Sequence, residues 1–253
     1  MYLYFSNFKM TQVNLIIDTG NTRTKMAVFK QDSLIHLEIV SAKKILDASE
    51  KILEKYKIEH IIISSVAKLE KRVVSFLGKR ARMVILNSKT KIPFKNLYKT
   101  PTTLGVDRIA LMAGAVKKYP SKNVLVIDAG TCITYDFISE KTAYYGGAIA
   151  PGLQMKYNAM HQFTENLPLL KPKATIKLGN TTKNAMHQGV MNGTVLEIDG
   201  IINQYKKKYE NLTIVLTGGD TKLLAKLVKS SIFANPNFLL EGLNHILNYN
   251  IKE

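Results

Sequence analysis

Two stretches of this chain close an apolar run on an aspartate and follow it with a small residue and a glycine. They are Asp18-Thr19-Gly20-Asn21-Thr22-Arg23-Thr24-Lys25 and Asp128-Ala129-Gly130-Thr131. Residues of these types suit polyphosphate chemistry. Glycine lets backbone N–H groups approach phosphate oxygens, an aspartate at a strand end can hold a cation, and hydroxyl and amine side chains add donors. A third turn, Gly218-Gly219-Asp220, follows a late apolar run. Any one of these is an ordinary turn. The set of three calls for a common explanation.

The first two stretches are related by repetition. Leu125-Val126-Ile127-Asp128 repeats Leu15-Ile16-Ile17-Asp18 at an offset of 110 residues (128 minus 18), and Thr134 aligns with Thr24. The runs KMAVF and YDFIS that follow both read as second strands of β-hairpins. Repetition with matching flanks points to an internal duplication.

The elements needed to position these loops are legible on either side. Val13–Phe29 reads as a hairpin, with strands expected at 33–40, 60–65 and 82–86 and helices at 42–56 and 69–77. Residues 87–104 read as a connecting loop, and a helix is expected over 105–119 with Asp107 in its first turn, where a carboxylate is favoured by the helix dipole. The second half offers a third strand ending in Gly146-Gly147-Ala148-Ile149-Ala150-Pro151-Gly152 and a helix after it. A long helix follows over 181–209, then a strand at 212–217, a helix, and a final helix at 237–249. This order belongs to an α/β layer fold. We expect two domains, 1–118 and 119–253, with residues 1–9 as an extension ahead of Met10.

Composition limits the functional classes. The 253 residues carry a net charge of +17, which raises the question of nucleic acid, but only five of the 36 basic residues are arginine and the lysines are scattered. A lysine-rich solvated surface that attracts small anions accounts for the charge. The single Cys132 excludes an intramolecular disulfide and suits a reducing, cytoplasmic compartment. No apolar run approaches the ~20 residues needed to span a bilayer. His161, His187 and His245 lack metal-site spacing and read as structural.

The three-loop set resembles the acetate and sugar kinase, Hsc70 and actin superfamily. That resemblance implies two duplicated actin-like (ribonuclease H-like) α/β domains, with mixed sheets flanked by helices and a nucleotide in the cleft between them. The finer resemblance, from about Val13 to Asn248, is to the type III pantothenate kinase family. It rests on the Asp18–Lys25 stretch, Gly105-Val106-Asp107-Arg108 preceded by Tyr98, Asp128–Thr131, the loop Gly147–Gly152, and Gly179-Asn180-Thr181-Thr182-Lys183-Asn184-Ala185.

The family implies ATP-dependent phosphorylation of pantothenate to 4'-phosphopantothenate, the first step of coenzyme A biosynthesis. It also implies roles. Asp107 would be the general base; Tyr98, Gly105, Val106, Asp107, Arg108 and Thr182 would form the pantothenate pocket, with Thr182 preferred over Thr181 on spacing. Asp18, Thr19, Gly20, Asn21, Thr22, Arg23, Thr24, Lys25 and Thr131 would bind ATP. Asp18 would also act on magnesium, and Asp128 would ligate a monovalent cation, potassium or ammonium. The family further implies a homodimer, and the helix Ile109–Val116 reads as core or as subunit contact; the scattered lysines and the lack of a long apolar run lead us to expect neither nucleic acid nor membrane as partner. Two other readings are a non-catalytic transcriptional accessory regulator and a kinase of another small hydroxylated acceptor. Having Asp18, Asp107, Arg108 and Asp128 together weighs against the regulator.

Overall fold

The structure, a computed structural model, describes residues 12–20, 23–65, 69–174 and 178–251. Two compact units emerge. One runs to Lys91 and takes the chain back from Leu247; the other runs from Ile92 to Ile246. The helix containing Asp107, expected in the first domain, packs on the sheet of the second unit.

The first unit opens with three antiparallel strands, β1 (Val13–Thr19), β2 (Thr24–Lys30) and β3 (Ser33–Val40). After these come α1 (Ile45–Lys55), β4 (His60–Ser65), α2 (Lys71–Gly78) and β5 (Arg82–Ile85). The sheet order is β3-β2-β1-β4-β5, with β4 parallel to β1 and β5 parallel to β4. Central strands covered on both faces need continuous apolar runs. That is why Leu15, Ile16, Ile17 and Ile61, Ile62, Ile63 are all buried. Leu15, Ile17, Met26 and Val28 meet Ile45 and Ile52 of α1 and Val73 and Leu77 of α2. At the start of β1, Asn14 donates to Asn248 Oδ1 at 2.9 Å, as does Gln12, so the end of the chain is tied to this unit.

The second unit contains β6 (Lys95–Asn96), α3 (Val106–Lys118), β7 (Val124–Ala129), β8 (Cys132–Ile138), β9 (Ala143–Pro151) and α4 (Leu153–Gln162). They are followed by α5 (Thr182–His187), α6 (Gly193–Lys208), β10 (Thr213–Thr217), α7 (Thr221–Leu224), β11 (Phe233–Ala234) and α8 (Phe238–Ile251), whose last turn belongs to the first unit. Its sheet is ordered β11-β10-β7-β8-β9-β6. From β9 to β11 this repeats the antiparallel triplet and two parallel strands of the first sheet, so the duplication legible in the sequence is also a duplication of topology.

The repeat is not perfect. Asp18 pairs with Lys25, seven residues on, whereas Asp128 pairs with Thr134, six residues on. The turns differ to match: Gly20 N–H donates to Arg23 O and Gly130 N–H to Cys132 O. The residue facing the aspartate is therefore a lysine in one hairpin and a threonine in the other.

The expected long helix of 181–209 is interrupted by a π-helical stretch, Gln188–Asn192, containing Gly189. Such bulges insert an extra residue into a helix and leave the periodicity readable on either side. The helix after Gly218-Gly219-Asp220 is a single turn. The two-residue strands β6 and β11 are too short to leave an alternating pattern. Residues Ile109–Ala115 of α3 are buried within the single chain, which makes this stretch core rather than a surface for subunit contact. Gly242 of α8 crosses α3 so closely that a β-carbon there would lie 1.9 Å from Ala110 O.

Candidate active site

The first phosphate-type loop follows β1 directly. Asp18 is half-buried at the strand end, opposite Lys25, and Thr19 faces Thr24 across the ladder. Arg23 is exposed. Asn21 and Thr22 lie outside the described residues. Thr19 Oγ1 is buried with no hydrogen-bond partner among the described residues. An unsatisfied buried hydroxyl costs on the order of 1–3 kcal/mol, which a ligand oxygen or cation would offset.

In the second unit three loops meet around Asp128. Gly218 has φ +97°, and a β-carbon there would sit 2.4 Å from both Asp128 Oδ1 and Ala129 O. Asp220 N–H donates to Ala129 O at 3.0 Å, which closes the Gly218-Gly219-Asp220 turn onto the Asp128-Ala129 strand end. Gly152 N–H donates to Thr131 O at 3.1 Å, bringing in the glycine-proline loop. Burial raises the Asp220 carboxyl pKa above its ordinary value. Cross-strand partners in an antiparallel ladder share a face, so Thr134 stands beside Asp128. Its Oγ1 is buried and again unpartnered among the described residues. A carboxylate beside a hydroxyl in need of a partner is a donor set that fits a hard monovalent cation. Thr131, on the turn itself, is exposed.

A second cluster forms at the start of α3. Gly105 is its N-cap residue, and Asp107 Oδ1 accepts from Arg108 N–H at 2.8 Å, which satisfies a donor that helix ends leave orphaned. A β-carbon on Gly105 would lie 2.4 Å from Asp107 Oδ1, so glycine is what lets this carboxylate take its place. Asp107 is half-buried with Val106 beside it, whereas Arg108 is 5% exposed.

Arg108 does not present a free fork. Its Nε donates to Asp136 Oδ1 and Oδ2 at 2.9 and 3.1 Å, and its Nη2 donates to Oδ1 at 2.6 Å. Burial works against the guanidinium charge, but the hydrogen bond and charge of Asp136 outweigh it and hold the group above its usual range. Tyr144 also donates its hydroxyl to Asp136 Oδ1 at 2.7 Å, and its ring stacks on Tyr98 with centroids 6.1 Å apart. Burial, then the Asp136 charge, pushes the Tyr144 hydroxyl well above the phenol range. The structure thus brings Tyr98 and Arg108 together, with Asp107 next to Arg108 at the helix start, and adds two members, Asp136 and Tyr144, that no motif contains. The signal for Asp136 was present: a carboxylate inside the apolar strand CITYDFI requires a buried cation or donor.

Thr182 is exposed at the first position of α5 and takes no part in this network. Thr181 is the N-cap residue, its hydroxyl accepting from Asn184 N–H at 3.3 Å, so of the two it is Thr182 that keeps its hydroxyl clear of the cap. Gly179 packs against the backbone of Ala185, which accounts for the small residues at both ends of that motif. His187 shares a 2.7 Å hydrogen bond with the Tyr157 hydroxyl, and His161 one with Leu167 O.

Comparison with known proteins adds an independent line. A sequence model of the family described as Type III pantothenate kinase matches residues 14–204. The type III pantothenate kinase of Christiangramia forsetii is 48% identical over 240 residues, covering 94% of this chain and 99% of that one. That of Bacteroides fragilis strain YCH46 is 43% identical, covering 94% and 98%. Among solved structures, a conserved Campylobacter jejuni protein assigned to the Baf family of transcriptional activators aligns with TM-score 0.64 at 21% identity, over 94% of this chain and all of that one. A glucokinase of the ROK family from Streptomyces griseus aligns with TM-score 0.54 at 10% identity, over 95% of this chain and all of that one. At such identities these two speak to fold alone.

Proposed function

Because this chain belongs to the type III pantothenate kinase family, we propose that it phosphorylates pantothenate with ATP to give 4'-phosphopantothenate, the entry step of coenzyme A biosynthesis. The observation that carries this reading is the Tyr98–Asp107–Arg108 cluster at the start of α3, in the same unit as the Asp128 and Gly218 loops. Phosphoryl transfer asks little covalent chemistry of the protein and depends on positioning and charge. Asp107 is the general base. Its carboxylate takes the proton of the primary hydroxyl as that oxygen bonds to the γ-phosphorus and the bond to the ADP oxygen breaks. Tyr98, Gly105, Val106, Arg108 and Thr182 line the acceptor.

Thr19, Gly20, Asn21, Thr22, Arg23, Thr24, Lys25 and Thr131 contact ATP. Asp18 would hold magnesium, which would supply charge neutralisation at the phosphates. Asp128, with Thr134 beside it, would hold potassium or ammonium. The buried hydroxyls of Thr19 and Thr134 support these two assignments. The enzyme acts as a cytoplasmic homodimer without nucleic-acid or membrane partners. Among the described residues no helix is long and apolar enough to cross a membrane. The test is ATP consumption measured across pantothenate and a panel of sugars. Turnover with a sugar alone would move the reading to another acceptor, and DNA retardation without turnover would favour the accessory regulator.

A further inference from the structure

We infer that Asp136 is a positioning residue for the acceptor pocket, acting through Arg108 and Tyr144 on the ring of Tyr98. The inference rests on the reading of that cluster as the acceptor site. Asp136 is fully buried in β8, two residues beyond Thr134 and on the same face, so one strand serves both the cation position and the acceptor. Its two oxygens receive three hydrogen bonds from Arg108 and a fourth from the Tyr144 hydroxyl. Those two partners hold Tyr98 from different directions: the Tyr144 ring stacks on it at 18° between planes, and the Arg108 guanidinium carbon lies 5.6 Å from its centroid. Gly146, at φ +102°, completes the seat, since a β-carbon there would lie 3.0 Å from the Tyr98 ring.

This matters because the segment carrying Tyr98 has little regular structure of its own. Between β5 and α3 it contains only the two-residue β6 and one 3-10 turn. Tyr98 is fixed by the side chains beneath it, and they are fixed by Asp136. The same pairing changes what Arg108 contributes. With Nε and Nη2 turned to Asp136, the Arg108 guanidinium is held in one orientation and its charge is balanced. Acceptor selection at this point depends on shape and direction more than on net charge.

The test compares Asp136→Asn and Tyr144→Phe with the wild type. Loss of the Asp136 charge is expected to raise KM for pantothenate at least about tenfold, with kcat and KM for ATP changed less than about threefold. A matched loss in both substrates, or an unchanged pantothenate KM, overturns the inference. Should Asp136→Asn fail to fold, Tyr144→Phe decides, because it leaves the ion pair intact. We expect a pantothenate KM raised about threefold, and an unchanged KM counts against the role. A second readout needs no substrate: 3-fluorotyrosine placed at position 98 should give a fluorine resonance that shifts or broadens in Tyr144→Phe, and an unaltered resonance overturns the inference. If the wild type does not turn over pantothenate, the functional reading fails by itself, while the fluorine experiment still tests the link from Asp136 to Tyr98.

Discussion

Gly218 and Asp128 stand so close that a methyl group on the glycine would lie 2.4 Å from the aspartate Oδ1. The turn after β10 is therefore one wall of the Asp128 position. At φ +97° the backbone adopts a conformation that costs an L-residue roughly 1–2 kcal/mol before any clash. Gly218→Ala is expected to lower Tm by about 4 °C or more and to raise the potassium concentration needed for half-activation. An unchanged potassium requirement in a folded variant would separate Gly218 from the cation position.

Asp107→Asn preserves size and the capping acceptor for the Arg108 N–H but removes the base. Turnover should fall by about 10²- to 10⁴-fold, in the range general bases contribute, while binding of a non-hydrolysable ATP analogue stays within about threefold. Near-normal single-turnover rates would exclude Asp107 as the proton acceptor.

Gly105→Ala tests the same group without touching it. The added β-carbon would fall 2.4 Å from Asp107 Oδ1, so the carboxylate must rotate. We expect kcat to drop at least about tenfold with the fold retained. A variant of wild-type kcat would mean that the observed rotamer of Asp107 is not the productive one.

Replacement of potassium and ammonium by sodium should depress activity, and Asp128→Asn should abolish the difference between the ions. Rates indifferent to the ion in the wild type would remove the role given to Asp128 and Thr134.

Asp220 offers a pH test. Burial raises its folded-state pKa above the unfolded value, so the native state binds the proton more tightly. Stability from this group is then greatest at acid pH and declines as pH rises from the unfolded toward the raised folded pKa. Asp220→Asn removes that dependence and should raise Tm at neutral pH relative to the wild type. A lower Tm there would show that the carboxylate makes a compensating interaction.

The sequence by itself determined the duplication, most element boundaries and the family. Strand periodicity, the recurrent Asp-x-Gly turns and the spacing of the motifs are all local properties of the chain, and β3 and β4 lie at the expected residues, 33–40 and 60–65. Only the tertiary structure decided which side chains meet. It placed α3 on the second sheet and made Ile109–Ala115 core. It put Lys25 opposite Asp18 but Thr134 opposite Asp128, and it turned Arg108 toward Asp136. Pairings of this kind depend on strand register and helix crossing, which bring together residues 28 positions apart, as for Arg108 and Asp136. Side-chain burial then fixes what is left for a ligand. A buried guanidinium must find a carboxylate, and the motif around Arg108 carries no trace of which carboxylate that is.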